Sequence, residues 1–204
     1  VQKLETEPEL EFRSMHPFCD ELRTKEDSEL IERWIKGQTG FPFLDACISY
    51  LNSNGWINFR MRAMIMSFAS YNLWQPWQKT SPLLAELFTD FEPGIHISQV
   101  QMQSGVTGIN LPRIYSVFKQ SLDQDPTAEW TKKIIPQLEN VETDLIHNAE
   151  LRDLYFEQIV DPKLSAKKAR DTIWAMRKNK DFKKIAREVY LKHGSRRRQQ
   201  FNRA

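Results

Sequence analysis

The residues best placed to do chemistry in this chain are two arginines in apolar surroundings. From Ile57 to Leu73 the pattern is helical and apolar almost all round, with Met61, Ala63, Met64, Ile65, Met66, Phe68 and Ala69, yet the stretch also carries Arg60 and Arg62. A helix without a polar face is buried on most sides. At least one of the two guanidinium groups must therefore point inward or lie along a cleft. A buried, unpaired charge is costly, so that arginine requires a carboxylate or an anionic ligand. Other familiar chemistry is absent from the sequence. Cys19 and Cys47 form no CxxC pair and no His/Cys ligand spacing, and no glycine-rich phosphate loop or hydrolytic constellation is present. The two cysteines read as small buried hydrophobes, and the lack of a disulfide framework favours a reducing compartment.

The elements that position these arginines read as helices throughout. Leu30, Ile31, Trp34 and Ile35 share one helical face, and Gly37 and Gly40 stop that helix. Pro42 suits the first turn of the next, in which Leu44, Ile48 and Leu51 repeat at four and three, and Asn54-Gly55 supplies its end. Residues 75–82 read as a turn, with Ser81 as N-cap and Pro82 at the first helical position. A short helix is expected from Leu83 to Phe91, ended by Pro93-Gly94. Residues 95–111 alternate enough to mimic a strand at Ile95 and Ile97, but Ser104-Gly105-Val106-Thr107-Gly108 is loop chemistry. Further helices are expected after Asp125-Pro126, after Pro162 with Ser165 as cap, and over about 181–192. The fold class is all-α.

At 204 residues the chain has room for one domain with a sizeable core, and 40% hydrophobic and 27% charged residues describe a soluble globular protein. No apolar run spans a bilayer and no signal-peptide layout opens the chain, so a cytoplasmic location is expected. Net charge is only +2 but unevenly placed. Acids (Glu5, Glu7, Glu9, Glu11, Asp20, Glu21, Glu26, Asp27, Glu29) crowd the first 32 residues. Bases (Lys178, Lys180, Lys183, Lys184, Arg187, Lys192, Arg196, Arg197, Arg198, Arg203) crowd the end. A basic end can contact phosphates, or simply be a solvated face and tail.

Residues 34–77 carry a dense run of motif matches. It begins Trp34-x-x-Gly37-x-Thr39-Gly40-Phe41-Pro42-x-x-Asp45-Ala46 and continues Leu51-x-x-x-Gly55-Trp56-x-x-x-Arg60-x-Arg62, then Ser67-Phe68 and Trp77. This stretch resembles the photolyase/cryptochrome family, whose pattern is W-x-x-G-x-T-G-[YF]-P-x-x-D-A followed by L-x-x-x-G-W-x-x-[NF]-R-x-R. The resemblance is strongest over 30–140 and continues through Asp90 to Glu92, Thr107-Gly108, Arg113-Ile114 and Pro136-Gln137-Leu138. Residues 141–204 read as a helical extension with a basic tail.

The resemblance implies the C-terminal part of an all-helical domain that holds FAD. It implies light-driven electron transfer to a pyrimidine dimer flipped out of damaged DNA, chemistry that needs a redox cofactor more than acid/base groups. Arg62 matches an arginine beside the flavin, Asp90 its carboxylate partner, Glu92 an acid at the flavin's polar edge, and His96 a position close to flavin N5. Arg60 and Arg113 match arginines near the DNA backbone, with Lys119 close behind. Trp77 matches the middle member of the tryptophan chain that re-reduces the flavin, although a buried Trp is more often core.

The departures from the family pattern concern the same site. Val100 and Met102 stand where tryptophans are expected, Phe59 replaces a common Asn, and Ala63 a common Met. The family's α/β antenna domain, its Thr- and Ser-rich pyrophosphate loop and its Trp-bearing lesion-pocket helix find no match, and residues 1–11 read as that helix continuing. The chain is thus expected to be a piece whose parent is a photolyase-type carbon–carbon lyase, inactive alone and dependent on an N-terminal part. The alternatives are a cryptochrome-type photoreceptor without repair, favoured by Val100 and Met102, and a helical module without flavin.

Overall fold

The computed structural model describes residues 2–194. It is helical, with no strand among the described residues. Eleven helices follow one another: α1 (Gln2–Thr6), α2 (Ser28–Ile35), α3 (Pro42–Asn54), α4 (Phe59–Ser67), α5 (Trp77–Leu87), α6 (Pro93–Gln103), α7 (Val117–Gln124), α8 (Glu129–Ile134), α9 (Thr143–Asn148), α10 (Pro162–Lys178) and α11 (Lys180–His193). The expected bases Arg196, Arg197, Arg198 and Arg203 lie outside the described residues.

Helix α4 sits at the centre, in contact with α3, α6 and the turn that follows it. Asn58 starts it, its side chain accepting from Met61 N at 3.1 Å. Met61, Ala63, Met64, Ile65 and Met66 are all buried, against Trp34, Leu44, Ile48 and Leu51 from α2 and α3. The expected single helix to Leu73 instead widens into a π-type turn at Phe68–Asn72, against which α10 packs. Gly55 closes α3 at φ 70°, a left-handed conformation in which a Cβ would be strained.

Several boundaries differ from expectation, each because a tertiary contact outweighs a local signal. Helix α5 begins at Trp77, so Ser81 and Pro82 lie inside it rather than at its start. Trp77 is buried, with Nε1 donating to Ser14 Oγ at 3.0 Å, and that anchor starts the helix early. Helix α5 stops at Leu87, short of the expected Phe91, and Pro93-Gly94 opens α6 instead of ending α5, because the Glu92 carboxylate caps the new helix. Residues 95–103, strand-like in alternation, are part of that helix. Asp161, not Ser165, caps α10, and Ser165 Oγ donates to the Asp161 carbonyl instead. The opening helix ends at Thr6, with a 3₁₀ turn from Pro8 to Glu11, because Pro8 biases the preceding residue away from helix.

Glu7, just after α1, ties that segment to the end of α11. Its carboxylate accepts from Arg13, from Lys192 Nζ at 2.8 Å and from His193 Nε2 at 2.9 Å. Hydrogen bonds, that from Lys192 foremost, hold the Glu7 carboxyl at about 2, well below the usual value. A depressed folded-state pKa contributes stability that is complete above the ordinary carboxyl range and lost as pH falls through about 2. Glu7→Gln should therefore lower the melting temperature at neutral pH, and the deficit should shrink as pH falls from 5 toward 2 in parallel thermal melts. A constant deficit across that range would refute the assignment.

Candidate functional site

Helices α4 and α6, with the end of α5 and the loop after it, enclose a cavity of about 100 Å³ lined chiefly by Arg62, Phe88, Asp90, Phe91, His96 and Gln99. Arg62 lies along this cavity rather than inside the core. Its Nη1 and Nη2 donate to the two Asp90 oxygens at 3.0 and 2.9 Å, a bidentate pair, and its Nε donates to the Ile57 carbonyl at 2.7 Å. The guanidinium also sits 4.2 Å from the Phe88 ring centre. The hydrogen bonds from Arg62 hold the Asp90 carboxyl below its usual value. Arg60, two residues earlier, is exposed. The conflict between an apolar helix and two arginines is thus resolved by one partner carboxylate and one solvent-facing side chain.

Glu92 lines the same cavity, but its carboxylate is already used as the α6 N-cap, accepting from Ile95 N at 2.7 Å. His96 is buried, and its Nε2 lies 3.0 Å from both the carbonyl and the hydroxyl oxygen of Ser81. A carbonyl accepts only, so Nε2 carries the hydrogen and Nδ1 is the ring's free acceptor. Burial lowers the His96 pKa, favouring this neutral form. No sequence motif marks Gln99. Its Oε1 is buried and has no hydrogen-bond partner, an unfilled acceptor on a cavity-lining residue.

Val100 and Ala63, small where the family is often large, line the same cavity. Met102 instead lines a second cavity of about 440 Å³ on an adjoining face of α6, with Gln99 shared between the two. Phe59, Phe91 and Ile95 line the first cavity while remaining 57%, 44% and 60% exposed, and Trp56 is 52% exposed, with Arg62 5.9 Å from its ring centre. Such an apolar rim is the mark of a surface that something covers.

Trp77 is not among the cavity-lining residues. It belongs to the core. Arg113 and Lys119 are exposed on the segment after α6 and on α7. Lys119 Nζ pairs with Asp123 at 3.2 Å, and the Arg113 carbonyl accepts from Ser67 Oγ at 3.2 Å. The structure therefore brings Arg62, Asp90, Glu92 and His96 to one cavity, and leaves Arg60, Arg113, Lys119 and Trp77 outside it. Among the described residues no three His, Cys, Asp or Glu side chains are grouped to hold a metal ion, and no helix is long and apolar enough to cross a membrane.

The helical fold agrees with what comparison with known proteins finds. The model of the family described as the FAD binding domain of DNA photolyase matches residues 1–175, and the chain belongs to that family. Similar curated proteins include the deoxyribodipyrimidine photo-lyases of Alkalihalophilus pseudofirmus (28% identical, covering 69% of this chain and 30% of that protein) and of Buchnera aphidicola subsp. Baizongia pistaciae (33%, covering 63% and 28%). A cryptochrome DASH from Gloeobacter violaceus is 29% identical over 60% of the chain and 25% of its own length. The fold is shared with a class III photolyase from Agrobacterium tumefaciens, with a TM-score of 0.77 at 24% identity over 87% of this chain and 40% of the other. It is shared equally with an archaeal photolyase from Sulfolobus tokodaii, with a TM-score of 0.79 at 23% identity over 84% and 41%. The chain spans under a third of the length of these curated relatives.

FAD is the family's cofactor, and the cavity fits only part of it. Arg62 supplies a cation and Gln99 an unfilled acceptor, both suited to the polar edge of a flavin ring. A cavity of about 100 Å³ is nevertheless smaller than the ~150 Å³ that holds one benzene ring in an engineered protein core, so a tricyclic ring must extend past the exposed rim.

Proposed function

We propose that this chain supplies one wall of a flavin site in a photolyase-type protein that repairs pyrimidine photoproducts in DNA. The observation that carries the reading is the bidentate Arg62–Asp90 pair at an apolar cavity with an exposed aromatic rim. FAD, when bound, supplies the light-absorbing electron donor. The chain's own residues would set its surroundings. Arg62 places a positive charge that favours a reduced, anionic ring by Coulomb attraction. Asp90 fixes the guanidinium in place, Glu92 holds the start of α6, and His96 is kept neutral with Nδ1 free. Phe88 and Phe91 exclude water. Arg60, Arg113 and Lys119 would contact phosphates without reading sequence. Trp77 would act as a relay rather than a contact. Damaged DNA and the rest of the protein, N-terminal to residue 1, are the partners of this reading, with the cytoplasm as its location.

A second reading, a cryptochrome-type photoreceptor without repair, is favoured by Val100 and Met102, neither of which can stack or relay as a tryptophan would. Blue-light dimer repair by the longer protein separates the two.

For residues 1–204 alone, weak or absent FAD binding is expected, because one cavity wall lacks the hydroxyl-rich loop that would hold the pyrophosphate. The check is the visible spectrum of the purified chain after incubation with FAD and desalting. A colourless protein agrees. A retained flavin band with vibrational structure would show that the chain already forms the pocket, and Arg62→Ala and Asp90→Asn should then remove it.

A further inference from the structure

Helix α10 carries an outer face that the flavin reading does not use. Its buried side is formed by Ala169 and Ile173, packed with Tyr71 and Met176. At 100° per residue, Lys163, Lys167, Arg170, Trp174, Arg177 and Lys178 fall within one arc of about 100° that flanks this buried side. Lys163, Lys167, Arg170 and Lys178 are exposed, and Trp174, in the middle of the cations, is 42% exposed. Within the helix only Asp171 is acidic. None of these cations is in an ion pair among the described residues, which is equally true of Lys183 and Lys184 on α11; what sets this face apart is the half-exposed indole among its cations.

Trp174 is held rather than loose. Arg177 lies 5.9 Å from its ring centre and 5.5 Å from that of Phe182, and its Nη1 donates to the Asn110 carbonyl at 3.2 Å. Arg177 is half-buried, so it serves as a clip and leaves four exposed cations along the same face. Through Asn110 the face adjoins the loop that carries Arg113. A cavity of about 280 Å³ joins the two, with Ile114 and Tyr115 on one side and Lys163 and Arg170 on the other.

We infer that this face of α10 binds single-stranded nucleic acid, the phosphates lying along the lysines and arginine and an unpaired base stacking on Trp174. A duplex would match the charge but offers no free base face to an exposed indole, whereas a single strand matches both. From Lys163 to Lys178 the stripe runs about 22 Å, enough to follow several nucleotides. The surface needs no flavin, no light and no lesion, so it stands or falls separately from the repair reading.

The test is fluorescence anisotropy of labelled, undamaged oligo(dT)15 with the purified chain in the dark, without FAD, at stepped salt. Four phosphate contacts predict a log–log salt slope of about −3 for a single strand. Lys167→Glu with Arg170→Glu should weaken binding by about tenfold or more and flatten that slope. Trp174→Ala should weaken it by about fivefold or more while leaving the slope unchanged, the signature of lost stacking. As a charge-matched control, Lys183→Glu with Lys184→Glu on α11 should change affinity by less than about threefold. Circular dichroism melts confirm that each variant folds. No measurable binding, equal loss from the α10 and α11 pairs, or a Trp174→Ala variant that binds like wild type would each overturn the inference. So would a duplex of the same length bound as tightly as the single strand.

Discussion

Replacing Asp45 with Ala should lower the unfolding free energy by about 4 kcal/mol, a large part of the ~5–15 kcal/mol that holds a domain of this kind together. Asp45 is fully buried at the start of α3. Its carboxylate accepts from Thr39 N, Thr39 Oγ1, Gly40 N and Tyr155 OH. Two of these donors are backbone groups in a buried turn, and truncation orphans all of them, each at the desolvation cost of a buried polar group. The node also ties the segment after α9 to α3. A Cβ on Gly40, which has φ +83°, would lie 2.6 Å from the backbone of Gln158, so this contact is close on both sides.

Burial pushes the Asp45 carboxyl up to about 6, against the pull of the donated hydrogen bonds. A raised folded-state pKa contributes stability that is complete below the unfolded value and lost as pH rises through about 6. The gap between wild type and Asp45→Ala should therefore narrow as pH rises across that range. Urea unfolding of both proteins at several pH values measures it. A loss below about 1 kcal/mol, with no pH trend, would show that the turn holds without this carboxylate.

Replacing Arg23 with Met should have the opposite sign and raise stability by about 1–3 kcal/mol. Arg23 is buried, and among the described residues it has no carboxylate partner. Its Nη1 donates to the Ser104 carbonyl at 3.1 Å, while Nε and Nη2 have no partner. It is held mainly by ring faces, 4.5 Å from the Trp74 centre and 5.3 Å from that of Tyr71. Burial pushes its pKa down to about 10, so the charge is still present, and still desolvated, at neutral pH. Methionine fills similar volume without a charge and makes favourable contacts with aromatic rings. Thermal and urea unfolding should both shift upward. A variant less stable than wild type by more than about 1 kcal/mol would mean that the two cation–π contacts outweigh the desolvation of the charge.

The contrast between Arg62 and Arg23 shows where sequence reading reaches its limit. Arg62 sits with Arg60 in a helix whose apolar periodicity is unmistakable, so the need of at least one of them for a cleft and a partner follows from local pattern. Arg23 lies in an irregular, acid-rich stretch with no period to place it, and nothing near it in sequence marks it as buried. The same difference separates α3, whose start at Pro42 and end at Gly55 follow from backbone restrictions of those residues, from α5. There Ser81-Pro82 imitates a helix start, and a buried indole four residues earlier, anchored on the distant Ser14, decides the matter.

By itself the sequence determined the helical class, the central apolar helix with its conflicting arginines, and the motif run from Trp34 to Trp77. These depend on periodicity, capping and residue type within a few turns. The motif match also named Asp90 as the partner of Arg62, which the structure pairs with it across 28 residues. The other polar meetings were decided by the tertiary structure alone: it turned His96 toward Ser81, left Gln99 unfilled on the cavity wall, buried Arg23 among rings, and set Trp174 in an unpaired row of cations. The physical reason is that helix formation is governed by near neighbours. The satisfaction of a buried charge or amide depends on which distant element packing brings within about 3 Å of it.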